Sequence, residues 1–265
     1  MHVSKIKEVY KKYQEIYNDI EYPKLDENNY IFVHDVDYFL KFNSKELYDN
    51  VYKLYINTEA LIYDDSYVEA ILFHEFTHLY DSIRFRNYSD YINIMWSYSE
   101  INASYIQMKK LTNYKPNINI LDKIMICNTP VTISEYFKTK RTGIQNESKN
   151  YPDTIEELLE NLLSLTYFIG EFCFVKEIDK SIYLNIESPY FHEINSMIEN
   201  YPLSPDKISD SFITIIEKFK ENRRLKLAKE FSKAVGGQIP VERFLELSGS
   251  FSDDLNSCIK ENNSN

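Results

Sequence analysis

His74-Glu75-Phe76-Thr77-His78 is the stretch of this chain whose residue types and spacing could do chemistry. On a helix, two imidazoles four residues apart stand one turn above each other and can grip a single ion. The Glu beside the first imidazole is then next to that ion and free to take a proton from water. At helical spacing, Val68, Leu72, Phe76, Leu79 and Ile83 fall on one stripe, and His74, His78 and Asp81 fall on the opposite side. A histidine satisfied within a core would sit in the apolar stripe. These two leave it together, which favours a metal.

Zinc that keeps a position open for water takes three protein ligands. The longer metzincin pattern needs a His six residues after His78, and position 84 is Arg, so that class is excluded. A Glu from a following helix is the other common solution. The stretch Trp96-Ser97-Tyr98-Ser99-Glu100-Ile101-Asn102-Ala103-Ser104-Tyr105 supplies one. Glu100 lies far enough past His78 for a turn and an antiparallel return, and Ala103 and Ser104 let the two helices approach closely. Asp81 would have to bend back along its own helix to share the ion. Glu135 belongs to a different segment, beyond Pro116 and Pro130. The expected third ligand is therefore Glu100.

His74-Glu75-x-x-His78 followed by Glu100-x-x-Ala103-Ser104 resembles the gluzincin metallopeptidases, and most closely the compact ImmA/IrrE-type peptidases of bacteria, phages and mobile elements. The resemblance covers residues 50 to 115 or so. It implies a zincin fold, one Zn2+ and peptide-bond hydrolysis, with His74, His78 and Glu100 as ligands and Glu75 as general base. Two positions depart from the pattern. Thermolysin-like gluzincins carry an Asp four residues after the ligand Glu, where this chain has Ser104. Many ImmA/IrrE-type members carry a small residue or Gly just before the second His, where this chain has Thr77.

The elements that must position these residues are legible in outline. Residues 3 to 20 read as an amphipathic helix ended by Pro23. Tyr30 to Val33, Asp37 to Phe42, Val51 to Ile56 and Glu59 to Tyr63 read as strands, with an Asn57-Thr58 turn between the last two. In zincins an edge strand beside the active-site helix pairs with the extended substrate, and Leu54 to Leu61 is the candidate here. His34, Asp35 and Asp37 are read as strand-end polar residues rather than a second metal site. Asp64-Asp65-Ser66 supplies an N-cap and an acidic first turn for the motif helix. Asn87 to Ser89 makes a turn, and Ser89 or Asp90 caps the next helix, which runs to Lys110 with Ile94, Tyr98, Ile101, Tyr105 and Met108 on its apolar side. Beyond Pro116, residues 132 to 142, 153 to 178, 190 to 200, 205 to 234 and 240 to 262 read as helical, with Gly236-Gly237 before Pro240 as a stop. The expected fold is α+β and predominantly helical. Residues 1–115 would form a zincin-like core of a small sheet, the motif helix and the Glu-bearing helix, and residues 116–265 a helical region packed on it. His192 of that region could serve as an oxyanion donor, as could one of the tyrosines, but it reads first as a partly exposed helix His.

Composition narrows the partners. A net charge of −11 argues against nucleic acid, since phosphate binding needs a basic surface. No apolar segment follows the basic N-terminus, so no signal peptide is expected. The most apolar stretch, Leu158 to Val175, is broken by Glu160, Asn161 and Glu171 and reads as a core helix rather than a membrane span. Cys127, Cys173 and Cys258 make neither a zinc knuckle nor a disulfide framework, which points to the cytoplasm. Two functional readings follow: a zinc metallopeptidase acting on a peptide or protein, and a non-catalytic protein-interaction module on a zincin scaffold. A fourth side chain closing the metal site would favour the module.

Overall fold

The computed structural model describes residues 3–34, 36–184, 186–234 and 241. Apart from residue 241, the expected helix over 240–262 lies outside the described residues, as do its Gly236-Gly237 stop, Cys258 and Asp35.

The chain opens with α1 (Val3–Ile16), which buries Ile6, Val9, Tyr10 and Tyr13 and stops short of residue 20. β1 (Tyr30–Val33), β2 (Leu40–Phe42), α2 (Ser44–Tyr48) and β3 (Leu54–Asn57) follow. β3 is the middle strand of a three-stranded sheet, parallel to β1 and antiparallel to β2. Two expectations are corrected here. Residues Glu59 to Tyr63 are not a strand: Thr58–Ile62 is a short 3-10 helix, because the Asn57 side chain accepts the Glu59 N–H at 3.0 Å and turns the chain at once. β3, the core of the Leu54–Leu61 candidate, has neighbours on both sides and offers no free edge. The free edge near the motif helix belongs to β2.

Asp64 caps α3 (Asp65–Phe85) by accepting the Ser66 N–H at 2.9 Å. One side of α3 meets α1, where Tyr13 and Phe73 pack edge to face with centroids 5.2 Å apart. The other side meets a long helical return made of α4 (Tyr91–Ile94), a π-helical turn at Met95–Ser99 and α5 (Glu100–Leu111). A helix covered on both sides is buried nearly all round, so His74, Glu75, His78 and Asp81 are all buried. Residues Lys123–Ile126 and Thr129–Thr132 form the hairpin β4–β5, whose turn residues Cys127 and Asn128 have φ of 46° and 67°. Thr132 then caps α6 (Ile133–Glu147) in a capping box with Glu135.

α7 (Ile155–Ile178), α8 (Phe191–Asn200) and α9 (Pro205–Ala234) complete the described chain. The molecule is α+β and predominantly helical. α7 is long and apolar enough to cross a membrane, and 61% of its most apolar window is buried, consistent with a core helix. It lies against α5 at a point where only glycine fits. A Cβ on Gly170 would stand 2.2 Å from the Ile101 carbonyl oxygen and 2.8 Å from Ser104 Cβ. Ser104 and Gly170 thus serve one close helix contact. One apolar core, running from Ile6 to Phe219, joins all these elements. Cys127 and Cys173 are free thiols.

Candidate metal centre and active site

α3 presents His74 and His78 one turn apart, and their Nε2 atoms face each other at 3.1 Å. The antiparallel return brings Glu100, at the start of α5, onto the same point. Its Oε2 lies 3.7 Å from His74 Nε2 and 3.4 Å from His78 Nε2. That oxygen is buried and has no hydrogen-bond partner. Donor atoms about 2.0–2.1 Å from a tetrahedral zinc stand about 3.4 Å from one another. The three separations observed, 3.1, 3.4 and 3.7 Å, bracket that value. The residues therefore fit one zinc ion held by two imidazoles and a carboxylate.

Glu75 also lies close: its carboxylate and the two imidazoles fall within 4.8 Å of one another. Proximity alone would allow either Glu to be the third ligand, but hydrogen bonding separates them. Glu75 Oε2 accepts the backbone N–H of Phe42 at 2.8 Å, whereas Glu100 Oε2 has no partner except the two imidazoles. β2 thus tethers Glu75 beside the triangle, and Glu100 completes it. Burial pushes the Glu75 carboxyl above the ordinary carboxylate range, against the lowering pull of His78, His74 and the Phe42 N–H.

Burial opposes charge on His78 and on Glu100 as well, yet each overrides it for the other. Glu100 raises His78 to about 9, and the imidazoles draw Glu100 down to about 2. In the metal-free protein this is a buried ion pair, and a divalent cation bound there would have to displace its proton, so its affinity would rise with pH.

The support around the ligands was not readable from local sequence. Ser99 Oγ lies 2.9 Å from His78 Nδ1, an arrangement that leaves Nε2 free to face a metal. The π-helical turn ends at Ser99, and a π-turn is a common way to re-aim one side chain within a helix. Asp81 stands behind Ser99, fully buried, with Asn102 Nδ2 donating to Oδ1 at 3.2 Å and to Oδ2 at 3.0 Å. Asn102 Oδ1 in turn accepts from the Tyr201 hydroxyl at 2.9 Å. Asp81 therefore belongs to the polar layer under the site.

Burial raises the Asp81 carboxyl to about 7. The native state then binds a proton that the unfolded chain has lost. The resulting stability is fully present below the ordinary Asp value and is lost as pH rises through about 7. A shift of this size corresponds to about 4 kcal/mol. Asp81→Asn should flatten the pH dependence of unfolding free energy between pH 4 and 7, measured by urea denaturation, while the wild type grows less stable across it.

α7 brings two residues that no motif announced. Tyr167 packs edge to face on the His74 ring at 5.3 Å and directs its hydroxyl to the Glu100 carboxylate. Burial, reinforced by Glu100 and Glu75, holds that phenol far above its usual range, so it is a proton-bearing donor. One turn on, Glu171 is buried, with Oε1 accepting from the Tyr136 hydroxyl at 2.6 Å and Oε2 unpartnered. His74 Nδ1 is likewise buried without a partner. Sequence placed Tyr167 in an apolar core helix, among 23 tyrosines, with nothing to single it out.

Glu75, His78, Glu100 and Tyr167 open together onto a cleft of about 760 Å³, walled on one side by β2 and α2 and on the other by Met95, Trp96 and Leu163. The N–H of Asn57 donates to the Phe39 carbonyl, which turns Phe39 and Lys41 toward β3 and the backbone groups of Leu40 and Phe42 to the outer edge. The other candidates fall elsewhere. His192 is exposed on α8 and does not line the cleft, as a surface helix His would be. Glu135 is an exposed capping residue. His34, just past β1, has its Nδ1 2.7 Å from Thr58 Oγ1.

No family model, curated protein or solved structure matches this chain.

Proposed function

We propose that the protein is a zinc-dependent metallopeptidase of gluzincin type, with His74, His78 and Glu100 as ligands and Glu75 as general base. The observation that carries this reading is the triangle of donor atoms, spaced at 3.1 to 3.7 Å as tetrahedral zinc ligands are. Its third corner, a buried carboxylate oxygen, is unpartnered except for the two imidazoles. The sheet, α3 and α5 then correspond to a zincin-like core, with α7 contributing to the site from the helical half.

Zinc held by His74, His78 and Glu100 would supply a Lewis acid that acidifies water and polarises a carbonyl. Glu75, held by the Phe42 N–H, accepts the proton from water as the water oxygen attacks the scissile carbonyl carbon. The same carboxyl hands the proton to the amine as the C–N bond breaks. Tyr167 donates its hydroxyl hydrogen bond to the oxyanion that forms. The outward backbone groups of Leu40 and the carbonyl of Phe42, whose N–H is held by Glu75, pair with an extended substrate, which takes β2 as the docking edge in place of Leu54–Leu61. The alternative, an interaction module with a closed metal site, needs a fourth side chain on the triangle. Glu75 is the nearest candidate and is tethered to β2 instead.

The test joins metal content to activity. The purified protein should carry about one zinc per chain by elemental analysis. It should cleave an unfolded protein substrate, lose this activity on chelation and regain it with zinc. A zinc-loaded protein that leaves unfolded chains and peptides intact would favour the interaction module. Tyr167→Phe adds a sharper measurement. It should keep zinc and KM while kcat falls about 10²–10³-fold, the usual loss for one oxyanion donor. Zinc loss in that variant would mean that Tyr167 serves only to hold Glu100.

A further inference from the structure

An imidazole that gives one ring nitrogen to a metal needs its other nitrogen held by a second group. His78 has that group close by, since Ser99 Oγ lies 2.9 Å from its Nδ1. His74 does not. Its Nε2 faces His78 and Glu100, and its Nδ1, on the far side of the ring, is buried without a partner. A buried ring N–H without an acceptor is costly, so a neighbouring group should take it.

The helix packed over His74 carries such a group. α7 runs antiparallel to α3. Tyr167 stands on the His74 ring, and Glu171, one turn on, lies toward the start of α3, where it also bears on the Tyr67 hydroxyl. Burial raises the Glu171 carboxyl, and Lys140, Tyr136 and His74 pull it back down, which places the carboxyl beside all three. Its Oε1 accepts from Tyr136 at 2.6 Å and lies 3.8 Å from Lys140 Nζ on α6. Its Oε2 is buried and bonds nothing. A donor nitrogen and an acceptor oxygen, both buried and both unpaired, thus lie on facing sides of the α3–α7 contact. The pairing with α6 does not account for a carboxylate so deep. Lys140 is 44% exposed, and sinking a charge costs more than one half-exposed partner returns.

We infer that Glu171 is a positioning residue for the metal centre. Its Oε2 takes the Nδ1–H of His74, across no more than one water molecule, and so fixes the tautomer whose Nε2 faces the ion. Tyr136 and Lys140 hold the other oxygen, which makes α6, outside residues 1–115, part of the support of the site. The inference rests on the zinc ligands of the peptidase reading and not on hydrolysis.

The experiment titrates the metal-free full chain with Zn2+ against a competing chelator. In the zinc-loaded protein, labelled with heavy nitrogen in histidine, it follows the ring N–H signals by NMR. The wild type should show a slowly exchanging Nδ1 proton on His74. Glu171→Met keeps the volume and removes the acceptor. It should lose that signal to exchange and bind zinc about 10–100-fold more weakly. Glu171→Gln keeps an acceptor oxygen without the charge. It should keep the signal, moved upfield, and recover most of the affinity, and it carries the test alone if the Met variant fails to fold. The His78 signal should not move in either variant. Zinc affinity and a His74 signal unchanged in both variants overturn the inference and leave the ligands standing. Equal zinc loss in both with the His74 signal intact assigns Glu171 to the fold alone and overturns it as well. A wild-type chain that binds no zinc overturns the ligand set together with the inference.

Discussion

Glu75→Gln should leave the protein folded and zinc-loaded while hydrolysis falls about 10²–10⁴-fold, the usual contribution of a general base. Glutamine occupies nearly the same space, and its carbonyl oxygen can still accept the Phe42 N–H that now bonds Glu75 Oε2 at 2.8 Å. What it cannot do is take a proton. Elemental analysis and peptide hydrolysis on the same preparation decide the matter. If zinc disappears along with activity, Glu75 is a ligand and its assigned role is wrong.

The second large effect is expected at Glu100. Glu100→Ala should lower zinc affinity by orders of magnitude, as should His74→Ala and His78→Ala, because each leaves only two protein ligands on the ion. Alanine also strips His78 of its buried counter-charge, so Glu100→Gln, which keeps the volume, is the second variant to measure. Zinc bound only to the native state at about a thousand times its Kd adds about 4 kcal/mol. For a chain of this size that corresponds to a melting temperature higher by roughly 10 °C. Chelation should remove that increment from the wild type and change nothing in either Glu100 variant. Glu135→Ala gives up one half of the capping box with Thr132 but should bind zinc normally, since its carboxylate is committed to Thr132. Wild-type melting that ignores chelator, or a Glu100 variant that still responds to it, would remove Glu100 from the ligand set.

The amino-acid sequence by itself determined the parts of this protein that depend on helical period and near neighbours. The spacing of His74 and His78 put both imidazoles on one face, and their absence from the Val68–Leu79 stripe turned that face toward something other than the α1 side. The Asp64 cap fixed where α3 begins, and the distance from His78 to Glu100 allowed one turn and an antiparallel return. The long apolar run after residue 154 was legible as a core helix for the same reason.

Only the tertiary structure decided which strand has a free edge. β3 and β2 have similar local sequences, and the parallel pairing of β1 with β3 is a long-range event that buries the expected edge and exposes another. Residues Glu59 to Tyr63 went astray through a single Asn57 side-chain hydrogen bond, which outweighs the strand propensity of a short apolar run. The companions of the metal triangle come from still farther away. Phe42 lies 33 residues from Glu75, and Ser99 lies 21 from His78. Tyr167 is on a helix whose approach depends on the missing side chain of Gly170. A carboxylate tethered by one strand and a phenol delivered by a distant helix leave no periodic trace along the chain, because their roles arise from packing, which brings together residues that local sequence keeps apart.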